Sequence, residues 1–295
     1  MKQIYWKDTD DYEINIVKED IMEENYDLSF VILTWNSQNY IARCLNAIDQ
    51  ITTMRVKIYV IDNGSKDRTI PILQKVQQEL HYAALEIISL PANKGTTISR
   101  NIGLKKACRN SSYICILDSD TVVNEQAMKS LMQSLKKHHD IGIIGPVMKG
   151  LDGTVQNSGR GIPTFKLKLF KVLPVSFLRR KGEQMEQIPK KDAITDVGYL
   201  MSACWMIPAK VIKEIGLLDE NIFYAPEDVE YCMRAWKNGY RVAYNNQVYI
   251  IHAWQRLSKK KLLSKHNWEH VKGLFYLFHK YHCFVSKPDY VHYDV

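Results

Sequence analysis

Two groups of carboxylates are the residues best suited to chemistry in this chain. Asp118 and Asp120 follow the apolar run Ile114–Leu117, and Glu227 and Asp228 stand side by side much later in the sequence. An Asp-x-Asp turn supplies hard oxygen ligands for Mg²⁺ or Mn²⁺, whereas zinc sites use mainly Cys and His. A further carboxylate in the same crevice can accept a proton from a reacting hydroxyl. The pattern therefore predicts a divalent cation and a general base, although Asp and Ser also favour turns without any ligand.

The elements that must position these carboxylates follow an alternating pattern. From Leu28 to Pro146, short β-rich apolar runs alternate with segments of helical period. This predicts an α/β fold with a mainly parallel central sheet flanked by helices. The predicted strands are Leu28–Trp35, Val56–Asp62, Leu85–Leu90, Tyr113–Asp118 and Ile141–Gly145, and the predicted helices are Asn39–Asp49, Arg68–His81, Thr97–Cys108 and Glu125–His138. Ligands of such sheets bind outside the carboxyl ends of the strands.

Four parts can be distinguished along the chain: an acidic N-terminal extension (1–27), a first half of the domain (28–146), a second half (147–254) and a basic, aromatic, helical C-terminal extension (255–295). Glycines and prolines after Pro146 predict irregular chain, and the basic segment 166–191 is expected to be a long loop. Order resumes with predicted strands at Tyr199–Ile207, Arg241–Tyr244 and Val248–His252, and with predicted helices at Ala209–Ile215, Asp228–Asn238 and Ser264–Tyr281.

Composition indicates a globular cytoplasmic protein. The chain has 295 residues, 46% of them hydrophobic, and contains no apolar run of the ~20 residues that a membrane-spanning helix needs. Its six cysteines include no CxxC pair, so neither a disulfide framework nor a zinc knuckle is expected. The net charge of +8 is concentrated in residues 166–191 and 256–265. Such basic segments predict contact with an anionic surface, for example at the inner face of the cell membrane, or a merely solvated face.

Polar residues also follow the other strands at the predicted ligand-bearing edge. The first strand leads into Thr34 and Asn36, and the second ends at Asp62 and Asn63. A carboxylate in this position can accept hydrogen bonds from a base imide or a ribose. The third strand leads into a loop with Lys94 and a helix start with Arg100, which are suited to diphosphate and ribose contacts.

Five motifs in order resemble the inverting glycosyltransferases of family 2, which have the nucleotide-sugar-binding GT-A fold. The motifs are TWNS (34–37), IDNGSKDRT (61–69), NKGTTISRNIGL (93–104), LDSD (117–120) and PEDVEYCMRAWKNGY (226–240). The resemblance implies a nucleotide-sugar-binding half at 28–146 and an acceptor-binding, catalytic half at 147–254. It also implies a nucleoside-diphosphate sugar donor, with UDP or dTDP as the nucleotide.

The resemblance assigns roles to individual residues. Asp228 is the expected catalytic base, with Glu227 as the alternative base or an orienting group. Asp120, with His252, is expected to hold Mn²⁺ or Mg²⁺. Nucleotide-sugar contacts are implied for Thr34, Asn36, Asp62, Asn63, Lys94, Arg100, Asp118 and Ser119. Acceptor contacts are expected from Trp205, Phe223 and Tyr224, whose rings can stack on a sugar face or pack in the core.

The C-terminal part of the chain resembles one subgroup of this family. The sequence HAWQRLS (252–258) and the aromatic helix after it are similar to rhamnosyltransferase-type enzymes that extend lipid-diphosphate-linked glycans. A glycan or lipid-linked glycan acceptor is therefore expected, in the synthesis of bacterial surface polysaccharide or glycolipid. Peripheral attachment to an anionic membrane would depend mainly on residues 165–181.

Two other functions share some of these sequence features. A sugar-nucleotide nucleotidyltransferase shares the sheet and the metal, but it would carry a Gly-rich phosphate loop after the first strand, and TWNSQNY is not such a loop. A basic nucleic-acid-binding protein fits the pI near 9.0. It does not explain acidic residues in the main crevice, which repel a phosphate backbone.

Overall fold

The computed structural model describes residues 25–172, 176–189, 192–253 and 265–293. Its first half is a parallel sheet in the order β3-β2-β1-β4, formed by β1 (Tyr26–Thr34), β2 (Val56–Asp62), β3 (Ala84–Ser89) and β4 (Ser111–Asp118). These strands match the predicted ones within three residues at either end. The parallel arrangement follows from the helix that connects each strand to the next.

The second half extends the same sheet with mixed strand directions. The strand β11 (Cys204–Pro208) lies antiparallel between β4 and β6 (Ile141–Lys149), and β12 (Arg241–His252) is parallel to β6. Short strands at its margins are β5 (Thr121–Val122), β7 (Val155–Gln156) and β9 (Ile194–Asp196), while β8 (Gly159–Arg160) and β10 (Tyr199–Leu200) pair separately. The predicted α/β fold is confirmed, and the antiparallel β11 is the feature that the alternating pattern did not reveal.

Helices cover both faces of the sheet. In chain order they are α1 (Ile41–Asp49), α2 (Thr69–Glu79), α3 (Thr96–Asn110), α4 (Glu125–Lys137), α5 (Phe165–Val172), α6 (Ser176–Glu186), α7 (Ala209–Ile215), α8 (Glu227–Lys237) and α9 (Lys265–Tyr281). Alternate residues of each central strand point to opposite faces, so Val31 and Ile116 join one buried cluster while Ile32 and Leu117 join another.

Close packing of α3 on the sheet positions one wall of the ligand-bearing edge. A Cβ at Gly103 would lie 2.6 Å from Cδ1 of Ile61 and 2.7 Å from Cγ1 of Val31, so glycine allows this approach without displacing either side chain. The helix begins at Thr96, immediately after the loop that follows β3. Its first turns therefore bring Arg100 to the carboxyl end of the sheet.

The prediction of a long loop for residues 166–191 was wrong. Much of this segment forms α5 and α6. Thr164 accepts a hydrogen bond from the Leu167 amide, and Leu167 is buried, so α5 is capped and packed. Composition concealed this because the many basic residues of the segment, with its prolines and Gly182, are typical of irregular chain.

Two further boundaries were predicted wrongly. The strand predicted for Tyr199–Ile207 is two short strands, because the chain turns at residues 201–203. The two strands predicted for Arg241–His252 are one irregular strand, with a register shift between Asn245 and Tyr249.

The C-terminal helix α9 is part of the main core. Leu277, Phe278 and Tyr281 are buried, whereas Trp268, Val271 and Phe275 are exposed. Within the described ranges, no helix is both long and apolar enough to cross a membrane. Most of the acidic extension (residues 1–24) and of the basic cluster (residues 254–264) lies outside the described residues.

Candidate active site

A cavity of about 360 Å³ opens at the carboxyl ends of β1 and β4 and at the beginning of α8. Strand register places Leu33 beside Asp118 and Thr34 beside Asp62 along the same edge of the sheet. The cavity brings together residues from both halves of the chain. Its lining consists of Leu33, Trp35, Ser37, Thr96, Arg100, Asp118, Ser119, Asp120, Met201, Ser202, Ala203, Tyr224, Ala225, Glu227, Asp228 and His252.

One side of the cavity carries a set of potential metal ligands. Single donor atoms of Asp118, Asp120 and His252 lie within 4.8 Å of one another. The Nε2 atom of His252 is 3.4 Å from Oδ1 of Asp120, and its Nδ1 atom is 2.7 Å from Oε1 of Gln156. A proton on Nδ1, donated to Gln156, leaves the lone pair of Nε2 directed toward Asp120. Two carboxylates and one oriented imidazole therefore fit a divalent cation.

Electrostatics within this cluster are governed by burial and by its acidic residues. Burial raises the pKa of Asp118 above its ordinary value, against the opposing positive charge of Arg100. Burial lowers the pKa of His252, but its hydrogen bond to Asp120 and the nearby negative charges outweigh this effect and raise the pKa overall. A group of negative charges that are partly desolvated in this way favours the binding of a cation.

Arg100 connects the two sides of the cavity. Its guanidinium donates to Oδ1 of Asp118 at 2.6 Å, and to Oγ of Ser202 and Oε1 of Glu227 at 2.9 and 3.2 Å. The side chain is buried, so these contacts compensate for the desolvation of its charge. The predicted nucleotide-pocket residue Arg100 thus lines the cavity and at the same time fixes the distance between two acidic groups.

The acidic pair stands at the first turn of α8. Glu227 is held by Arg100 and by the Ser202 hydroxyl at 2.9 Å. Burial, together with the charge of Asp228, raises the pKa of Glu227 to about 7. Burial also raises the pKa of Asp228, against the backbone amide of Val229 and nearby cations. In the described part of the chain, Val229 N–H is the donor to the Asp228 carboxylate, so Asp228 has more free acceptor capacity than Glu227.

Thr34 and Asp62 each carry a buried oxygen without a hydrogen-bond partner among the described residues. Both side chains are about 1% exposed. The Asp62 Oδ2 atom accepts from the Ser65 amide at 3.0 Å, but Asp62 Oδ1 and Thr34 Oγ1 have no hydrogen-bond partner among the described residues. Buried polar atoms are rarely left unpaired, because an unmade hydrogen bond costs roughly 1–3 kcal/mol. Neither residue is among those that line the cavity, but both oxygens can still accept a hydrogen bond from a ligand at this edge of the sheet.

Other predicted nucleotide residues organise loops. The amide of Asn63 donates to Asn93 and Gly95, and its oxygen accepts from Lys94 N and Ser99 Oγ, so its hydrogen bonds are used within the protein. Asn36 likewise accepts from the Lys66 amide and lies in an exposed turn.

Two polar residues of the predicted nucleotide set differ in position. Ser119 lines the cavity and shares a 2.9 Å hydrogen bond with Ser37. Lys94 is exposed on its loop and is not among the cavity-lining residues.

The three predicted acceptor residues occupy different environments. Tyr224 lines the cavity and is 37% exposed. Phe223 is half-buried, and its carbonyl accepts from the Thr96 amide at 2.6 Å. Trp205 is fully buried, stacks on Tyr231 at a centroid distance of 5.9 Å and donates to the Leu200 carbonyl. The prediction of an acceptor contact for Trp205 was wrong, because the residue lies on β11 in the core.

Several cavity residues were missed by sequence reasoning. Ser202 lies in the turn before β11, and Gln156, on β7, contacts His252 without lining the cavity. No sequence signal pairs these two residues with Glu227 and His252. Trp35 and Ser37 stand inside the quoted TWNS motif, and their position beyond the first strand could have identified them.

A comparison of sequences decides the family. The sequence pattern of glycosyl transferase family 2 matches residues 29–216, which include β1 to β11 and both residues of the Asp-x-Asp turn. This chain belongs to glycosyl transferase family 2. The resemblance based on the five motifs is thereby confirmed.

Curated family 2 relatives have low identity over most of the chain. The poly(ribitol-phosphate) beta-N-acetylglucosaminyltransferase TarS of Staphylococcus aureus (strain Mu50) is 26% identical over 226 residues, which cover 73% of this chain and 33% of that protein. The N-acetylglucosaminyl-diphospho-decaprenol L-rhamnosyltransferase of Mycobacterium tuberculosis is 22% identical, covering 76% of this chain and 75% of the relative. This family 2 chain thus spans about a third of the length of TarS.

Solved structures of glycosyltransferases share the fold. The S. aureus TarS fragment 1–349 in complex with UDP-GlcNAc superposes with a TM-score of 0.55 at 20% identity, over 81% of this chain and 62% of that one. The mannosyltransferase PcManGT from Pyrobaculum calidifontis, in complex with GDP-Man and Mn²⁺, gives a TM-score of 0.60 at 14% identity, covering 92% and 69%. The predicted GT-A fold is confirmed for this family 2 member.

Proposed function

We propose that this family 2 protein transfers a sugar from a nucleoside-diphosphate sugar to an acceptor hydroxyl, with inversion at the anomeric carbon. The observation that carries this proposal is the placement of Asp120 and Asp228 in one cavity, each on a different structural half. The set of Asp118, Asp120 and His252 would hold Mn²⁺ or Mg²⁺. Such an ion, when bound, neutralises negative charge on the departing diphosphate.

The remaining chemistry is derived from the chain's own residues. The Asp228 carboxylate accepts the proton of the acceptor hydroxyl, whose oxygen forms a bond to the anomeric carbon. The bond from that carbon to the diphosphate oxygen breaks, and its electron pair leaves with the nucleoside diphosphate. General-base assistance of this kind is typically worth ~10²–10⁴ in rate. Because attack and departure lie on opposite faces of the sugar, the product configuration is inverted and a covalent intermediate is unnecessary.

Glu227 is supported as an orienting group. Its oxygen Oε1 accepts from Arg100 and Ser202, and these bonds hold the carboxyl group in place against the guanidinium. The same Arg100 holds Asp118, so the donor side and the catalytic side share one rigid connection. Thr34 and Asp62 would bind the nucleotide base, and Tyr224 would contact the acceptor.

The names and complexes of relatives support a class of donor and a class of acceptor. We infer UDP or dTDP as the nucleotide, which agrees with the UDP-GlcNAc complex of TarS. A glycan or lipid-linked glycan acceptor agrees with the names of TarS and of the mycobacterial rhamnosyltransferase. We infer that the transfer takes place at the cytoplasmic face of the membrane. The test is a screen of UDP-, dTDP- and GDP-sugars for nucleoside diphosphate release with Mn²⁺, with Mg²⁺ and with EDTA. Release that is insensitive to EDTA would contradict the cation, and the absence of release from all donors would contradict the reaction.

We also infer peripheral contact with an anionic membrane, through α5 and the exposed side of α9. Trp268 and Phe275 are 63% and 58% exposed, and Phe275 lies 6.4 Å from the Phe165 ring. The exposed Lys166 and Lys272 beside these rings complement anionic headgroups.

Liposome sedimentation tests this contact. Replacement of Phe165, Trp268 and Phe275 by Ser should abolish cosedimentation with phosphatidylglycerol vesicles, and neutralisation of Lys166, Lys168, Lys171, Arg179 and Arg180 should weaken it. The matched control is Tyr82→Ser, which removes a 64%-exposed ring from the far end of the sheet. Unchanged sedimentation of both variants would contradict the membrane contact.

A further inference from the structure

The helix α9 touches the segment that leads into the catalytic pair. A Cβ added to Gly273 would lie 2.3 Å from the Ala225 carbonyl oxygen and 2.7 Å from Cδ of Pro226. Both distances are far below van der Waals contact, and the nearest atom belongs to the backbone. The helix therefore lies against residues 225 and 226 at a distance that glycine alone permits. Ala225 itself lines the cavity.

The other half of α9 is fixed to the same region by polar contacts. The fully buried Glu230 of α8 accepts hydrogen bonds from Lys280 Nζ at 2.9 Å and Tyr281 Oη at 2.8 Å. Tyr276 Oη donates to Oδ2 of Asp219 at 2.7 Å, in the chain that precedes the pair. With these anchors, α9 cannot move away from residues 225–226 without breaking buried hydrogen bonds.

Only two residues separate Ala225, which Gly273 contacts, from Asp228. Pro226 precedes Glu227 directly, and its carbonyl accepts from the Glu230 amide at 3.1 Å in the first turn of α8. A displacement of residues 225–226 is thus transmitted to the first turn, where both carboxylates stand. A misplacement of about 1 Å in a reacting group can cost about a hundredfold in rate.

We propose that α9 is a positioning element of the active site and that Gly273 is its positioning residue. The helix sets the depth at which the Glu227–Asp228 turn enters the cavity. This proposal rests on the proposed function, since it assigns a role to the catalytic pair. The three atoms nearest to a Cβ at Gly273 belong to Ala225 and Pro226 and not to the proposed nucleotide-binding residues of β1 and β2, so donor binding and turnover should respond differently.

The test is steady-state kinetics of Gly273→Ala, with saturating acceptor and variable donor. We expect kcat to fall about ten- to a hundredfold while the donor KM stays within about twofold. Lys237→Ala is the control, because it shortens an exposed side chain at the other end of α8 and should leave kcat unchanged.

Two outcomes would overturn the positioning role: a folded Gly273→Ala protein with kcat within twofold of the parent, or a parallel loss of donor binding. If Gly273→Ala does not fold, the double variant Tyr276→Phe, Tyr281→Phe decides, because it removes two of the three polar anchors of α9 without adding an atom. A drop in its kcat of at least about threefold at constant donor KM supports the role, and an unchanged kcat contradicts it. A parent protein without any transferase activity would instead refute the proposed function.

Discussion

Gln156 and His252 hold each other by two hydrogen bonds, from side chain to side chain at 2.7 Å and from the Gln156 amide to the His252 carbonyl at 2.9 Å. Both residues are buried. The pair fixes the imidazole so that Nε2 faces Asp120. Orientation of this kind determines whether a histidine can serve as a metal ligand.

Gln156→Ala should weaken cation binding about 10- to 100-fold, because the imidazole loses its fixed orientation. The measurement is Mn²⁺ titration by calorimetry, with Gln77→Ala as a control whose amide bonds a surface carbonyl. An unchanged Mn²⁺ affinity in Gln156→Ala would remove His252 from the proposed ligand set.

The pH dependence of turnover should report the acidic pair. Asp228 must be ionised to accept a proton, and burial raises its pKa, so kcat should rise with pH through that raised pKa and then level off. Glu227 has a pKa raised to about 7 by burial and by the charge of Asp228, so its ionisation should add a second inflection near pH 7, which Glu227→Gln should remove. A pH–rate profile of both proteins checks this, and coincident profiles would show that the two carboxylates do not interact.

Stability should also depend on Glu227. Its pKa is raised from 4.5 to about 7 on folding, so the folded protein holds this proton more tightly than the unfolded chain. The resulting stabilisation is complete below pH 4.5 and is lost as pH rises through 7. Between pH 5 and pH 8, the free energy of unfolding of Glu227→Gln should therefore improve relative to the parent by at most about 3 kcal/mol. Urea denaturation at both pH values measures it, and a constant difference would show that Glu227 is ionised throughout.

Replacing Trp205 should affect stability, whereas replacing Tyr224 should affect acceptor binding. Trp205→Ala should lower stability by about 3–5 kcal/mol, because it empties a fully buried site. Tyr224→Ala should leave stability within about 1 kcal/mol and raise the acceptor KM, since the ring is partly exposed in the cavity. Thermal unfolding and acceptor kinetics distinguish them. Equal losses of stability would place Tyr224 in the core as well.

Sequence reasoning was most successful where local chemistry and periodicity agree. The strands β1 to β4 carry continuous apolar runs that end in polar residues, so both their extent and their common edge were predictable. The Asp-x-Asp turn and the acidic pair were found for the same reason. Their meeting in one cavity depends on β11, which pairs antiparallel with β4 and brings Ser202 and Ala203 to Asp118.

The features that were not predictable depend on contacts between residues far apart in the sequence. A tryptophan on a buried strand and one on a cavity wall have the same local pattern, so Trp205 was assigned to the acceptor although it stacks on Tyr231. The many basic residues of 166–191 made this segment look like a loop and concealed the helix α5. Gln156 and Gly273 act only through residues far away in sequence, namely His252 and Ala225.

The most direct test of the central claim is to compare donor binding and turnover in Asp120→Ala and Asp228→Asn. Asp120→Ala should lose Mn²⁺-dependent binding of the donor, whereas Asp228→Asn should bind the donor normally and turn over at least about a hundredfold more slowly. Calorimetry with the UDP- or dTDP-sugar and single-turnover kinetics give both quantities. Normal donor affinity in Asp120→Ala, or near-normal turnover in Asp228→Asn, would contradict a cation-held diphosphate facing a general base across one sugar.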